Sequence, residues 1–138
     1  MSTVIRPEIS KQNKYYISRH RYYELKHFCL QYPEFKKIYN NLCGKIPGGI
    51  IQISNDDVVR VDQSAEVRQR YLNKITMIEN TAKMLDPVLG EYILKGVTEG
   101  LPYTYFRMRE DIPCCKDVYY DLYRKFFWLL NFKKKDDI

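Results

Sequence analysis

A chain of 138 residues with 45% hydrophobic and 29% charged side chains is long enough to bury a core and too apolar for simple disorder. No run of about 18 apolar residues occurs, which excludes a helical membrane span, and residues 1–14 lack the apolar stretch of a signal peptide. The four cysteines include no Cys-X-X-Cys pair, so we expect a cytoplasmic chain with reduced thiols.

The net charge of +6 is unevenly distributed along the chain. Residues 1–49 contain nine Lys or Arg and three Asp or Glu, whereas residues 50–98 contain six and seven, and residues 99–138 contain eight and seven. A positive field of this kind favours a polyanionic partner, most often nucleic acid. The alternative is a charge excess that only keeps the protein soluble.

The N-terminal part is predicted to be a flexible arm (residues 1–13) followed by helices (residues 14–44). Ser18 is suited to cap the first helix, because its hydroxyl can accept from the free amides of the first turn. Pro33 ends or kinks this helix, or lies in the first turn of a second helix that Gly44 ends. Spacings of three and four predict one apolar face on each helix: Tyr22, Leu25, Phe28, Cys29 and Tyr32, then Phe35, Ile38, Tyr39 and Leu42.

The middle of the chain is predicted to be a loop over residues 45–63, with at most a short β-hairpin within 50–61, and then a long helix over residues 64–85. This helix either packs within the chain or forms a two-helix seam with another copy in a homodimer, and core packing is the more frequent outcome. Its apolar positions follow a nearly seven-residue rhythm: Val67, Tyr71, Ile75 or Leu72, Ile78, Ala82 and Leu85.

The C-terminal part, residues 86–131, is predicted to contain three helices before a charged tail at residues 132–138. Asp86-Pro87 begins the first helix, and Gly100 ends it. A short helix over residues 102–109 and a turn over residues 111–113 precede the last helix, residues 115–131. The predicted buried positions are Val88, Leu89, Tyr92, Ile93 and Val97, then Val118, Leu122, Phe126 and Leu129. The sequence thus predicts an all-α, single-domain bundle of about five to six helices.

The order of helix, Gly-Leu, short helix, Ile-containing turn and longer helix is typical of a helix-turn-helix, whose second helix enters the major groove. Gly100, Leu101, Phe106 and Ile112 match the pattern of region four of bacterial sigma factors. The segment therefore resembles that region and the related C-terminal part of phage late-gene transcription regulators. Arg107 stands where those proteins have a small residue, and Asp111 stands where they have the turn glycine. The helix-turn-helix is thus a degenerate one.

The whole chain also resembles small proteins encoded in Clostridia prophages, particularly at residues 15–19 and 112–120, which implies a phage origin and no particular activity. On the predicted last helix, four side chains are left to contact double-stranded DNA: Lys116, Tyr120, Tyr123 and Arg124. Asp117 and Asp121 count against this surface. Arg19 and Arg21 belong to a second basic segment, whose neighbouring tyrosines we expect to lie in the core.

No catalytic signature, cofactor motif or metal-ligand spacing is recognisable, so we expect neither an enzyme nor a metal site. The function predicted from sequence is a phage-type, DNA-binding transcriptional regulator in the host cytoplasm. Two alternatives remain open: an inhibitor that binds a protein of a host defence complex, and an accessory protein of DNA packaging.

Overall fold

The computed structural model describes residues 13–44, 50–52, 58–60 and 64–134, which form six α-helices and a small β-hairpin. The prediction of an all-α fold is confirmed, and two short paired strands occupy part of the stretch for which the sequence allowed at most a hairpin. The predicted arm, except Asn13, and residues 135–138 of the predicted tail lie outside the described residues. The helices are α1 (Arg19–Leu30), α2 (Tyr32–Cys43), α3 (Ser64–Lys83), α4 (Gly90–Glu99), α5 (Tyr103–Arg109) and α6 (Lys116–Lys134). The strands are β1 (Ile50–Gln52) and β2 (Val58–Arg60), antiparallel with Ile51 opposite Val59.

The chain divides into two compact units, a finer division than the single domain expected from the sequence. One unit comprises Gln31–Thr76 and is called here the inserted unit. The other combines Met1–Leu30 with Met77–Ile138 and is called the terminal unit. The boundary at Thr76 falls inside α3, so this helix contributes residues to both cores.

The inserted unit is held together by apolar contacts between α2 and the first half of α3. Ile38 and Leu42 form a buried cluster with Val67, and Tyr71 packs against it. Phe35 adds a ring contact with Tyr71 at 5.8 Å between centroids. These contacts lie within one chain, which is the packing that the sequence favours for the long helix. Pro33 lies in the first turn of α2, as the second of the two interpretations of this proline predicts.

The start of α1 follows the predicted capping. Helix α1 begins at Arg19, and the Ser18 hydroxyl accepts a hydrogen bond from the Arg21 amide at 3.4 Å. Its buried side chains are Tyr22, Leu25, Phe28 and Cys29, the face predicted from their spacing. Burial raises the pKa of the Cys29 thiol, so this cysteine stays protonated.

Asp86 caps the turn that leads into α4. Its Oδ1 accepts hydrogen bonds from the Val88 and Leu89 amides, both at 2.8 Å, and regular helix begins at Gly90. The prediction that Val88 is buried is wrong, since 59% of this side chain is exposed. Val88 lies in the capping turn before the helix, where the helical period that suggested its burial does not apply.

We expect Asp86→Ala to lower the thermal midpoint of unfolding, and Asp86→Asn to lower it less because the amide oxygen can still accept. The two amide hydrogen bonds lower the pKa of Asp86. Its stabilising effect is therefore present above the ordinary Asp pKa and is lost as the pH falls through the folded-state pKa. Thermal melts of the three proteins from neutral to acidic pH should show the wild-type advantage disappearing. An advantage independent of pH would contradict this assignment.

The buried face of α6 differs from the predicted one. Its buried residues are Tyr119, Tyr120, Phe126, Phe127 and Leu130. Val118 is 43% exposed, and Leu122 and Leu129 are only half-buried, so only Phe126 of the predicted stripe is confirmed. The physical reason is that an aromatic face buries more area, while each tyrosine hydroxyl finds a hydrogen-bond partner inside the fold.

Candidate nucleic-acid interface

The segment from α4 to α6 has the order of helix, short helix and longer helix that the sequence predicts. Gly100 ends α4 in the left-handed conformation with φ 69°, and its amide donates to the Gly96 carbonyl. Asp111, in the turn between α5 and α6, also adopts a positive φ of 51°. Aspartate tolerates this conformation better than most residues do. Arg107 is exposed and does not obstruct the approach of α5 to its neighbours.

Three tyrosines tie α5 and its flanking turns to α6. The Tyr119 hydroxyl donates to the Leu101 carbonyl at 3.1 Å, and the Tyr120 hydroxyl accepts from the Tyr103 amide at 3.2 Å. The bond from the Tyr103 amide gives an acceptor to a donor in the first turn of α5, where amides lack partners within the helix. Pro102, the N-cap residue, makes no side-chain capping hydrogen bond there. The Tyr103 hydroxyl in turn donates to the Cys114 carbonyl at 2.7 Å.

Phe106 of α5 and Ile112 of the following turn are both buried. Phe106 is fully buried, and Ile112 is 7% exposed. The Phe106 ring lies 5.7 Å from those of Tyr92 and Tyr119, and its carbonyl accepts from the Glu110 and Ile112 amides. Leu101, in the turn before α5, is half-buried. The short helix and its turn are therefore fixed against α4 and α6.

The prediction of a DNA-contacting surface on α6 is largely wrong, because most of the side chains it named point into the fold. Lys116 is exposed, as expected. Tyr120 is only 7% exposed and belongs to the core. The Tyr123 hydroxyl lies 3.3 Å from that of Tyr22, and burial raises the pKa of Tyr123. Neither tyrosine is therefore placed to contact a phosphate.

The three arginines that the sequence proposed as nucleic-acid contacts have different environments. Arg19 is exposed at the start of α1. Arg21 donates from Nε to Asn131 Oδ1 at 2.7 Å and pairs with Glu24 at 3.5 Å, so it links α1 to α6. The Arg124 side chain is only 21% exposed, and its buried Nε has no hydrogen-bond partner among the described residues. Of these arginines, Arg19 is the most accessible to a ligand.

A surface more basic than the one predicted on α6 arises because α1 packs against the C-terminal half of α6. The Tyr22 and Phe127 rings meet edge to face at 5.2 Å, and Lys134 Nζ lies 3.9 Å from the centre of the Phe28 ring. Tyr15, just before α1, contacts Trp128 at 5.4 Å. These contacts bring together two segments, residues 13–30 and 124–134, that are distant in sequence. We call their combined surface the basic flank.

The basic flank concentrates the positive charge of the terminal unit. Glu24 is its one carboxylate against eight cations: Lys14, Arg19, Arg21, Lys26, Arg124, Lys125, Lys133 and Lys134. The intervening residues 77–123 contain five Lys or Arg and eight Asp or Glu. Among the described residues of the terminal unit, charge is therefore separated between the cationic basic flank and a segment, residues 77–123, that is net anionic.

Aromatic side chains lie among the cations of the basic flank. The Trp128 and Phe132 rings meet edge to face at 4.9 Å, and 53% of Phe132 is exposed. Lys14 Nζ lies 5.0 Å from the centre of the Tyr15 ring. Cations interleaved with accessible aromatics are typical of surfaces that bind nucleic acid.

Sequence reasoning located the α1 half of this surface and missed the α6 half. Counting charges over residues 99–138 conceals it, because carboxylates at the start of that stretch offset the cations that follow. A shorter window would have found the signal, since residues 124–134 contain four cations and no carboxylate. The pairing of α6 with α1 could be learned only from the fold.

Among residues 13–44 and 64–134, no group of three His, Cys, Asp or Glu side chains is placed to hold a metal ion. None of the six described helices is both long and apolar enough to cross a membrane. No protein-family model, curated protein or solved structure matches this chain.

Proposed function

We propose that the protein is a phage-type transcriptional regulator that binds double-stranded DNA, with the basic flank on the phosphate backbone. The observation that carries the proposal is the surplus of cations that the packing of α1 against α6 brings together. Besides Arg21 and Arg124, whose side chains are only 15% and 21% exposed, the basic flank carries six Lys or Arg side chains and one carboxylate. Contacts between Lys or Arg and phosphates release condensed counterions and supply most sequence-independent affinity for DNA. The helix-turn-helix order of α4 to α6 adds an element suited to the groove.

The exposed side of α6 supplies side chains for the groove. Val118 and Asp121 are exposed and lie three residues apart, so they share one side of the helix. An apolar side chain can contact a thymine methyl, and an aspartate can accept from cytosine N4. This side replaces the surface of Tyr120, Tyr123 and Arg124 that the sequence predicted.

The carboxylates of α6 constrain how DNA is approached. Asp117 and Asp121 are exposed in the first half of the helix, where phosphates would be repelled. The cations Lys125, Lys133 and Lys134 follow in the second half. We therefore assign base contacts to the first half of α6 and backbone contacts to the second half and α1. Homeodomains use the C-terminal end of their third helix for backbone contacts in the same manner.

The test is fluorescence anisotropy with labelled duplexes, both random and from the region upstream of the protein's own gene. We expect Lys125→Glu with Lys133→Glu to weaken binding at low salt at least about tenfold, because each reversal replaces an attraction by a repulsion. The matched control is Lys37→Glu with Arg70→Glu, which makes the same change of charge at exposed positions of the inserted unit.

The control pair should bind close to the wild-type level. Equal losses of DNA affinity in the two double variants would mean that only net charge matters. The basic flank would then not be the interface. Absence of duplex binding by the wild-type protein at low salt would refute the DNA-binding function itself. Circular dichroism of each variant verifies that the helices are retained.

A further inference from the structure

A surface cleft of about 370 Å³ lies between the end of α3 and the start of α4, within the terminal unit. The helices can approach each other here because residue 90 is glycine: a Cβ on Gly90 would lie 2.5 Å from the Ala82 carbonyl oxygen. Ala82 is 2% exposed, and Gly90 is buried. The capping bonds of Asp86 fix the turn at one end of the cleft. The depression is therefore part of a rigid backbone arrangement.

The cleft is lined by apolar side chains and by more acidic than basic ones. Ala82, Pro87 and Leu94 supply apolar surface. Its charged residues are one lysine and three carboxylates: Lys83, Glu79, Asp86 and Glu91. Met84 and Val88, beside the cleft in sequence, are 58% and 59% exposed. On a protein surface, exposed apolar side chains beside a cleft are typical of a binding site for another macromolecule.

The end of α5 has the complementary chemistry. Met108 is 83% exposed, and it lies between the exposed residues Arg107 and Arg109. Glu110, the next residue, forms an ion pair with Lys95 that attaches this end of α5 to α4. The protruding group is thus one flexible apolar side chain with two cations beside it, on a fixed base.

We infer that the Met108 end of α5 in one copy of this chain docks into the α3–α4 cleft of a second copy. Among the described residues, Met108, Val88 and Met84 are the three most exposed large apolar side chains, and this contact would cover all of them. Arg107 and Arg109 would meet the carboxylates of the cleft, which supplies charge complementarity. An unbranched methionine fits irregular apolar depressions well. Met108 does not fill the cleft of its own chain, as its exposure shows.

This association is independent of DNA binding, because the cleft and the Met108 end lie outside the basic flank. The test is sedimentation velocity of the full chain without nucleic acid, over a range of protein concentrations at low salt. The wild-type sedimentation coefficient should rise with concentration. Arg107→Glu with Arg109→Glu, and separately Glu91→Arg, should each weaken self-association at least about tenfold.

The sharpest test of the proposed contact is an equimolar mixture of the Arg107→Glu, Arg109→Glu variant and the Glu91→Arg variant. The arginine variant retains an intact cleft and the Glu91→Arg variant an intact Met108 end, so the mixture should regain complexes that neither variant forms alone. Met108→Ser should weaken association without unfolding the protein, since this side chain is exposed. Arg70→Glu, the charge control in the inserted unit, should behave as the wild type. A monomeric wild-type protein at every concentration, or a mixture that stays monomeric, would overturn the inference.

Discussion

Replacing Phe106 by alanine is expected to lower the free energy of unfolding by about 3–5 kcal/mol, the range for removing a fully buried phenylalanine ring. Phe106 is fully buried, and its ring contacts those of Tyr92, Tyr105 and Tyr119. The substitution leaves a cavity where α4, α5 and α6 meet. The measurement is denaturant unfolding followed by the fluorescence of Trp128, the chain's single tryptophan, which lies in α6.

Met108→Ala on the same helix is the matched control for Phe106. Because 83% of Met108 is exposed, its truncation should change the stability by less than about 0.5 kcal/mol. Phe106→Ala should also weaken DNA binding under conditions where the variant is partly unfolded. Equal unfolding midpoints for the two variants would show that α5 does not pack as described.

Gly96→Ala is expected to destabilise the protein by about 1–3 kcal/mol, the usual cost of overpacking a core. Gly96 is buried in α4, and an added Cβ would collide with the Tyr119 hydroxyl oxygen. Moving that hydroxyl breaks its hydrogen bond to the Leu101 carbonyl, which joins the α4–α5 turn to α6. Alanine is the better helix former, so a simple propensity argument predicts the opposite sign.

The double variant Gly96→Ala with Tyr119→Phe isolates the collision. Tyr119→Phe alone should cost about 1 kcal/mol, the typical net contribution of one hydrogen bond. Removing the hydroxyl leaves the Tyr119 Cζ atom 3.4 Å from the new Cβ, a tight contact that small shifts can accommodate. The double variant should therefore be more stable than the sum of the two single effects implies. Strict additivity in unfolding experiments would exclude this mechanism.

Local signals predicted the helices of this chain well. Ser18 and Asp86 cap where their hydroxyl and carboxylate oxygens suggested, and Gly100 adopts the left-handed conformation that ends α4. These features depend on a few neighbouring residues, so the sequence contains the information needed. Pro33 alone does not decide where α2 begins, because proline both ends a helix and fits the first turn of the next one.

Predictions that required tertiary contacts were less successful. The spacing of Val118, Leu122 and Leu129 suggested a buried stripe on α6, but the fold buries the aromatic side instead. Hydropathy ranks tyrosine below the aliphatic residues, yet Tyr119 and Tyr120 gain from both their ring area and their hydrogen bonds. This change of buried side removed Tyr120 and Tyr123 from the predicted DNA surface. The exposed side chains of α6 therefore also differ from those predicted.

The basic flank could not be derived from the sequence, because its two segments are separated by about a hundred residues, as the Arg21–Asn131 hydrogen bond shows (a separation of 110). Its α1 half was recognised from the charge of the N-terminal third. The contribution of α6 depends on which helix this one packs against, and no local pattern specifies that choice.

The central claim is that cations of the basic flank contact DNA phosphates, and a salt titration of duplex binding tests it most directly. The logarithm of the binding constant should fall linearly with the logarithm of the salt concentration, with a slope of about −0.9 for each contacted phosphate. The slope for the Lys125→Glu, Lys133→Glu variant should be smaller by roughly two units. The Lys37→Glu, Arg70→Glu control should keep the wild-type slope. Identical slopes for all three proteins would contradict the proposed interface.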